Sequence, residues 1–276
     1  YGLALKRQRK LTEAETVLQE TLAFRRETLT EEHPDTLTSM NNLAGVLHDQ
    51  QKHEEAEELF RRVVEGRRRV LGNDHSMTVT AVQNLADVLS EHGNPAEAAP
   101  LWKEAYETSL RLHGPDESGT MFGLQRYAQT LADLGRHAEA EPLLKRAVDY
   151  DRNRYGQTHE STMVVEGYLA LSLQALGNLD EAELLLRRSV DTRLQSLGAT
   201  HRSTLTAQHN LAGLLADRKQ YDEGERLFES AAQGKRAALS PNDPSLANTL
   251  SRWAQMRSQR EDFAGAIPLF RESLAI

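Results

Sequence analysis

Residues 41–62 read NNLAGVLHDQQKHEEAEELFRR: one amphipathic helix, a polar break, then a second amphipathic helix. Residues 83–104, QNLADVLSEHGNPAEAAPLWKE, and residues 209–230, HNLAGLLADRKQYDEGERLFES, repeat the pattern. The repeat length is 42. Gly2, Ala44, Ala86, Ala128, Ala170, Ala212 and Ala254 stand at that spacing, as do Ala14, Ala56, Ala98, Ala140, Ala182, Gly224 and Ala266. Glu precedes the second series at 13, 55, 97, 139, 181 and 223, and only Gly265 departs from it. Two phases of small residues held in register with no insertion define tandem repeats of one helical pair.

Small residues at a fixed phase let two helix backbones approach closely. Large apolar residues flank them: Leu43, Leu85, Tyr127, Leu169, Leu211 and Trp253 on the first helix, Phe60, Trp102, Leu144, Leu186, Phe228 and Phe270 on the second. Their three-and-four spacing makes one buried stripe per helix. First helices are predicted over 35–50, 77–92, 119–134, 161–176, 203–218 and 245–260. Second helices are predicted over 11–29, 53–71, 95–112, 137–155, 179–197, 221–239 and 263–276. Asn94-Pro95-Ala96-Glu97 reads as a cap, a first-turn proline and a dipole-matched acid. Gly72, Gly114, Gly156 and Gly198 fall where second helices should end. No strand pattern competes, so the fold class is an all-α solenoid of helix-turn-helix units. It is expected as one array over 1–276: a truncated leading repeat at 1–34, full repeats from 35, 77, 119, 161 and 203, and a truncated last repeat at 245–276.

Composition excludes several function classes. A net charge of −8 gives no basic face for nucleic acid, and the basic run at 61–70, RRVVEGRRRV, has acidic neighbours and no aromatic platform. Without cysteine there is no disulfide framework, thiolate zinc site or cysteine nucleophile, which suits a reducing cytoplasm. No apolar run approaches the roughly 20 residues that span a bilayer. Phosphate-loop, nucleophile-elbow and H-E-x-x-H motifs are missing, so neither catalysis nor a cofactor is expected. His33, His75, His159 and His201 share one connector phase. Successive copies would sit about 10 Å apart, too far to share a metal, and no metal is expected. The chain starts at Tyr1 without methionine and stops at Ile276 inside a helical pattern, so it reads as a piece of a longer protein whose uncapped solenoid ends could self-associate.

The N-L-A of the first helix, the E-A of the second, the connector LGNDHS and above all LTEEHPDTLTSMNNLAGVL resemble tetratricopeptide repeats of the 42-residue kinesin light chain type. The resemblance implies a right-handed superhelix whose first helices line a groove for a peptide or protein partner, in a scaffold or cargo-adaptor role. Such arrays are also similar to sensor regions of multidomain signal-transduction NTPases, which pack on their own chain or self-associate. Carrying over the groove phases gives thirty positions with no Lys or Arg. They include the amides Asn41, Gln83, Gln125 and Gln129, the imidazole His209, and five acids: Asp49, Asp87, Glu91, Asp133 and Asp217. An acidic inner wall is therefore expected, favouring peptides with some positive charge. Phe122, Val164 and Leu171 are the apolar cluster on that wall and read either as an anchor pocket for a peptide or as a patch that packs against another part of the full-length protein. Arg25, Arg67, Arg193 and Lys235 share one late phase of the second helices and read as a basic rim.

Overall fold

The computed structural model describes residues 2–240 and 242–276, and among them it contains α-helices and no strand. The chain packs as two compact units that divide after Arg136. The first holds α1 (Gly2–Arg7), α2 (Leu11–Thr28), α3 (Pro34–Asp49), α4 (His53–Leu71), α5 (Ser76–Glu91), α6 (Pro95–His113) and α7 (Ser118–Asp133). The second holds α8 (His137–Tyr155), α9 (Glu160–Ala175), α10 (Leu179–Leu197), α11 (Arg202–Asp217), α12 (Tyr221–Ala238), α13 (Pro244–Gln259) and α14 (Phe263–Ala275). Odd-numbered helices are the first members of each repeat and even-numbered helices the second. Within each unit they pack in chain order.

The small-residue phases are the contact points. Ala14, Ala44, Ala56, Ala86, Ala98 and Ala128 have no exposed surface, nor do Ala140, Ala182, Ala212 and Ala254. Trp102, Leu144, Leu186 and Phe228 close over them, all fully or almost fully buried. Gly224 replaces alanine where α12 meets α11 most tightly, since a Cβ there would stand 3.3 Å from the Ala212 carbonyl oxygen and 3.1 Å from Met256 Sδ.

Each first helix begins one residue earlier than the apolar pattern predicts, because the connector histidines cap it. Nδ1 of His33, His75, His159 and His201 accepts the backbone N–H two residues on, at 3.1–3.2 Å. These rings therefore hold their proton on Nε2. Glu117 and Asp243 fill the same phase and cap with carboxylates. First helices end in a left-handed residue at Arg9, Gln51, Gly93, Gly135, Gly177, Lys219 and Glu261, again 42 apart. The N–H that follows reaches back to a carbonyl five residues earlier, as from Lys52 to Leu47 at 2.9 Å and from Asn94 to Leu89 at 2.8 Å. Second helices end at Gly72, Gly114, Gly156 and Gly198, with φ between 83° and 88°.

The recurring Glu has a partner as well as a helix dipole. Arg61 donates to Glu97 at 2.6 Å, Lys145 to Glu181 at 3.3 Å and Arg187 to Glu223 at 2.6 Å, each linking one second helix to the next. Arg68–Glu104 and Arg236–Glu272 add links at the same 36-residue separation. Paired this way, the Glu223 carboxyl is held below its usual range by Arg187.

Two stability outcomes follow from the helix ends. Left-handed backbone costs a non-glycine residue about 1–2 kcal/mol, of which glycine's extra chain entropy takes back about 0.5–1 kcal/mol. Lys219→Gly and Glu261→Gly should each stabilise the fold by roughly 0.5–1 kcal/mol, while Gly177→Ala destabilises it, read by urea unfolding. At the caps, His75→Ala should cost about 1 kcal/mol, whereas His75→Asp, which copies position 243, keeps most of that stability in the same assay.

Candidate functional site

In the first unit, Asn41, Asp49 and Asp87 come together with Lys6, His48 and Asn84 around a polar depression of about 360 Å³. Most of its charged and amide groups are mutually satisfied. Lys6 donates to the Gly45 carbonyl at 2.8 Å and lies 3.2 Å from Asp49. Asn84 donates to the Asn41 side chain at 3.1 Å. Arg126 pairs with Asp87 and reaches the Gln129 side chain at 3.4 Å, and its guanidinium lies 5.3 Å over the Trp102 ring. Gln129 is itself buried, Gln83 and Gln125 are half-buried, and Glu91 and Asp133 are exposed. Phe122 stands edge-on to Trp102 at 5.8 Å with its other side open.

In the second unit, Val164 and Leu171 come together as neighbours two turns apart on one helix. They are 43% and 41% exposed on α9, and they form one wall of a cavity of about 330 Å³. Leu186 supplies the floor from α10, and Ala207 and Thr206 the facing wall from α11. Gly167 leaves the wall open, since a Cβ there would meet nothing within 4 Å. Tyr168, Asn210 and Arg202 ring the apolar surface with polar groups and Arg193 lies beneath it; Asp243, 3.3 Å from Arg202, is not among the lining residues. Phe122 belongs to the first unit and is not among the lining residues of this cavity.

His209 and Asp217 lie on α11 outside the cavity lining. The His209 ring is edge-on to Phe228 at 5.8 Å, with Nδ1 buried and unpartnered. Burial, reinforced by the nearby charges of Lys235 and Arg252, pushes its pKa down to about 4. Asp217 accepts from Gln174 at 2.6 Å and lies 3.8 Å from Arg252.

The basic rim is not there. Arg67, Arg193 and Lys235 are only 4%, 8% and 2% exposed. The late second-helix phase faces the start of an adjoining first helix, so these cations turn inward and clamp backbone carbonyls. Arg25 donates to Asp35 O at 2.6 Å, Arg67 to Met77 O at 2.7 Å, Arg193 to Met163 O at 2.6 Å and Lys235 to Ser245 O at 3.0 Å. Burial pushes the Lys235 ammonium down to about 8. Where the series breaks, Asp151 is fully buried and accepts from the Ser161 hydroxyl at 2.6 Å.

Sequence reasoning missed the cations that answer the acids. Asn42, Asn84, Arg126, Tyr168, Asn210 and Arg252 form a further 42-residue series, one position past Asn41. Arg126 and Arg252 on this series pair with Asp87 and Asp217 across neighbouring first helices. The signal was legible as periodicity, but a face counted without its edge hid it.

The tetratricopeptide repeat model matches residues 1–67, 37–111, 118–195 and 203–276. The chain belongs to the tetratricopeptide repeat family. Among solved structures, the nearly identical kinesin light chain TPR-like repeats of Podosopora anserina are 25% identical to it, with a TM-score of 0.64, over 75% of this chain and 99% of that one. BtubC of P. vanneervenii is 18% identical with a TM-score of 0.63 over 81% of this chain and 90% of its own. The apo quorum sensor NprR of B. thuringiensis is 16% identical with a TM-score of 0.68 over 99% and 73%. These last two are alike in fold alone. No curated protein sequence matches the chain. As a tetratricopeptide repeat protein it has the architecture of an interaction scaffold, and no described helix is long and apolar enough to cross a membrane.

The half-buried His209 makes this fold acid-sensitive in a defined window. Its folded pKa lies below the 6.5 of the free group, so between pH 6.5 and about 4 the unfolded chain binds the extra proton. Stability is then full above 6.5 and falls as pH drops, by at most about 1.4 kcal/mol per unit. His209→Gln should flatten the dependence of the unfolding midpoint on pH in that window, whatever it does to the midpoint at pH 7.

Proposed function

We propose that this chain is a protein-interaction module that holds an extended peptide or a partner's loop against its first helices, with an apolar side chain of the partner seated between α9, α10 and α11. The observation that carries this reading is the 330 Å³ cavity. Its lining is apolar at Val164, Leu171, Leu186 and Ala207, it is open at Gly167, and its rim is polar. Burying a Leu- or Phe-sized anchor there would contribute about 1.5–3 kcal/mol, and interface energetics concentrate in such pockets.

The charge pattern supports a different partner from the one an acidic wall would select. Asp49, Asp87 and Asp217 are each answered by a basic side chain, and Glu91 lies 3.4 Å from His48. At the cavity, Arg193 is spent on Met163 O at 2.6 Å, and the exposed Arg202, 3.3 Å from Asp243, is the cation that can still face a partner. A partner segment that presents carbonyl or carboxylate oxygens beside its apolar anchor would match Arg202 and the Asn210 amide. This is the adaptor-like reading. Kinesin light chain repeats are among its relatives in fold and sequence.

Fluorescence anisotropy with labelled peptides sorted by anchor size and flanking charge tests it. Peptides with Leu or Phe beside acidic residues should bind, and Leu171→Glu and Gly167→Trp should each weaken them at least tenfold. Leu184→Glu, on an exposed position of α10 outside the cavity, should leave binding unchanged. Equal binding by the Leu171 and Gly167 variants would overturn the reading, as would a preference for basic peptides.

A further inference from the structure

At the turns joining α3 to α4 and α5 to α6, three histidines and a glutamate converge in a way that the repeat itself does not require. His48 lies in the last turn of α3, His53 opens α4, Glu91 ends α5 and His92 follows it. The His48 and His53 ring centroids are 5.6 Å apart, and His53 stacks on His92 at 5.7 Å. His48 Nε2 stands 3.4 Å from a Glu91 carboxylate oxygen. One ligand atom each from His48, His53 and Glu91 lies within 4.8 Å of the others. Nδ1 of both His48 and His53 is shut away from water with no hydrogen-bond partner.

We propose that His48, His53 and Glu91 form a binding site for a divalent first-row transition ion, with zinc as its representative. Two imidazoles and one carboxylate are the donors such ions take, and three protein ligands leave one position open. Around a tetrahedral zinc with bonds of about 2.1 Å, ligand atoms stand about 3.4 Å apart. The His48–Glu91 pair already has that separation, and Glu91 is exposed and free to rotate as the site closes. The helix dipoles divide: His48 and Glu91 stand at helix C-termini, which favour a cation, whereas His53 stands at the N-terminus of α4, which does not. Glu57 lies 3.5 Å from His92 Nδ1 and orients the ring stacked on His53.

The 42-residue register shows that this is no general feature of the fold. The His48 phase elsewhere carries Ser90, Ala132, Gln174, Ala216 and Ser258. The His53 phase carries Pro95, His137, Leu179, Tyr221 and Phe263. Only at this step do both phases hold histidine beside an acid. The connector histidines, by contrast, spend Nδ1 on helix caps. An ion held here would cross-link α3, α4 and α5, and so stiffen the edge of the polar depression to which His48 contributes.

The test is calorimetric titration of the chelator-treated chain with zinc chloride, paired with the visible absorption of its cobalt(II) form. One equivalent of zinc should bind with micromolar affinity, cobalt should show the intense bands of a tetrahedral N/O site, and zinc should raise the unfolding midpoint. His48→Gln, His53→Gln and Glu91→Gln should each weaken zinc binding at least tenfold and abolish the thermal shift. His113→Gln, outside the cluster, should change neither. Glu91→Gln alters an exposed side chain, so it keeps the test valid if a histidine variant folds poorly. No one-to-one zinc binding, or one-to-one binding that persists in all three variants, would overturn the proposal.

Discussion

Everything in this molecule depends on the close approach of two helix backbones at alanine. Each repeat places one small residue on each helix at the crossing, alanine except at Gly2 and Gly224, and the alanines there are buried to 0–2% exposure. Large residues such as Trp102 and Phe228 can then cover the crossing from the side and remain fully buried. The same spacing sets the reach of every other linkage: the ion pairs between second helices, the inward clamps of Arg67 and Lys235, and the caps at His75 and Asp243. A widened crossing would not weaken one contact but put all of these out of register.

The backbone architecture was legible because it is written in period. Apart from the short α1 (Gly2–Arg7), which was not among the expected helices, helix existence, order and most boundaries follow from two small-residue phases and a glycine phase, and the remaining errors were one residue at a helix end. Those errors had a cause in chemistry, not pattern: a histidine accepting from the N–H two residues on starts the helix before the first apolar residue. The side-chain assignments were less legible. Whether a late second-helix arginine points to solvent or into the next repeat depends on the angle between helices, which periodicity alone does not contain. Arg67 and Arg193 therefore read as rim residues and are carbonyl clamps.

The acidic wall shows the same limit from another direction. A count of charges on one helical face treats each helix as isolated, whereas adjacent first helices bring their edges together. Arg126 meets Asp87 and Arg252 meets Asp217 because the position after the amide phase projects toward the preceding first helix. Exposed pairs of this sort contribute about 0–1 kcal/mol each to stability, so their effect is mainly on recognition. They remove net charge from the surface and leave shape and apolar contact to discriminate between partners.

In a repeat protein the positions that obey the period build the scaffold, so departures from it are where selectivity can be placed at little structural cost. At the Asp49 phase, acids recur at Glu91, Asp133 and Asp217, but α9 carries Ala175; at the Asp87 phase, α9 carries Leu171. The α9 face thus lacks the acid of the Asp49 phase and carries an apolar side chain at the Asp87 phase, where Leu171 lines the cavity. Histidine at both 48 and 53 is a departure of the same kind, confined to one step of the array. Neither substitution falls on an alanine crossing, a capping residue or a left-handed residue. That independence is the physical reason one regular backbone can present an apolar pocket in one unit and a cluster of metal-binding side chains in the other.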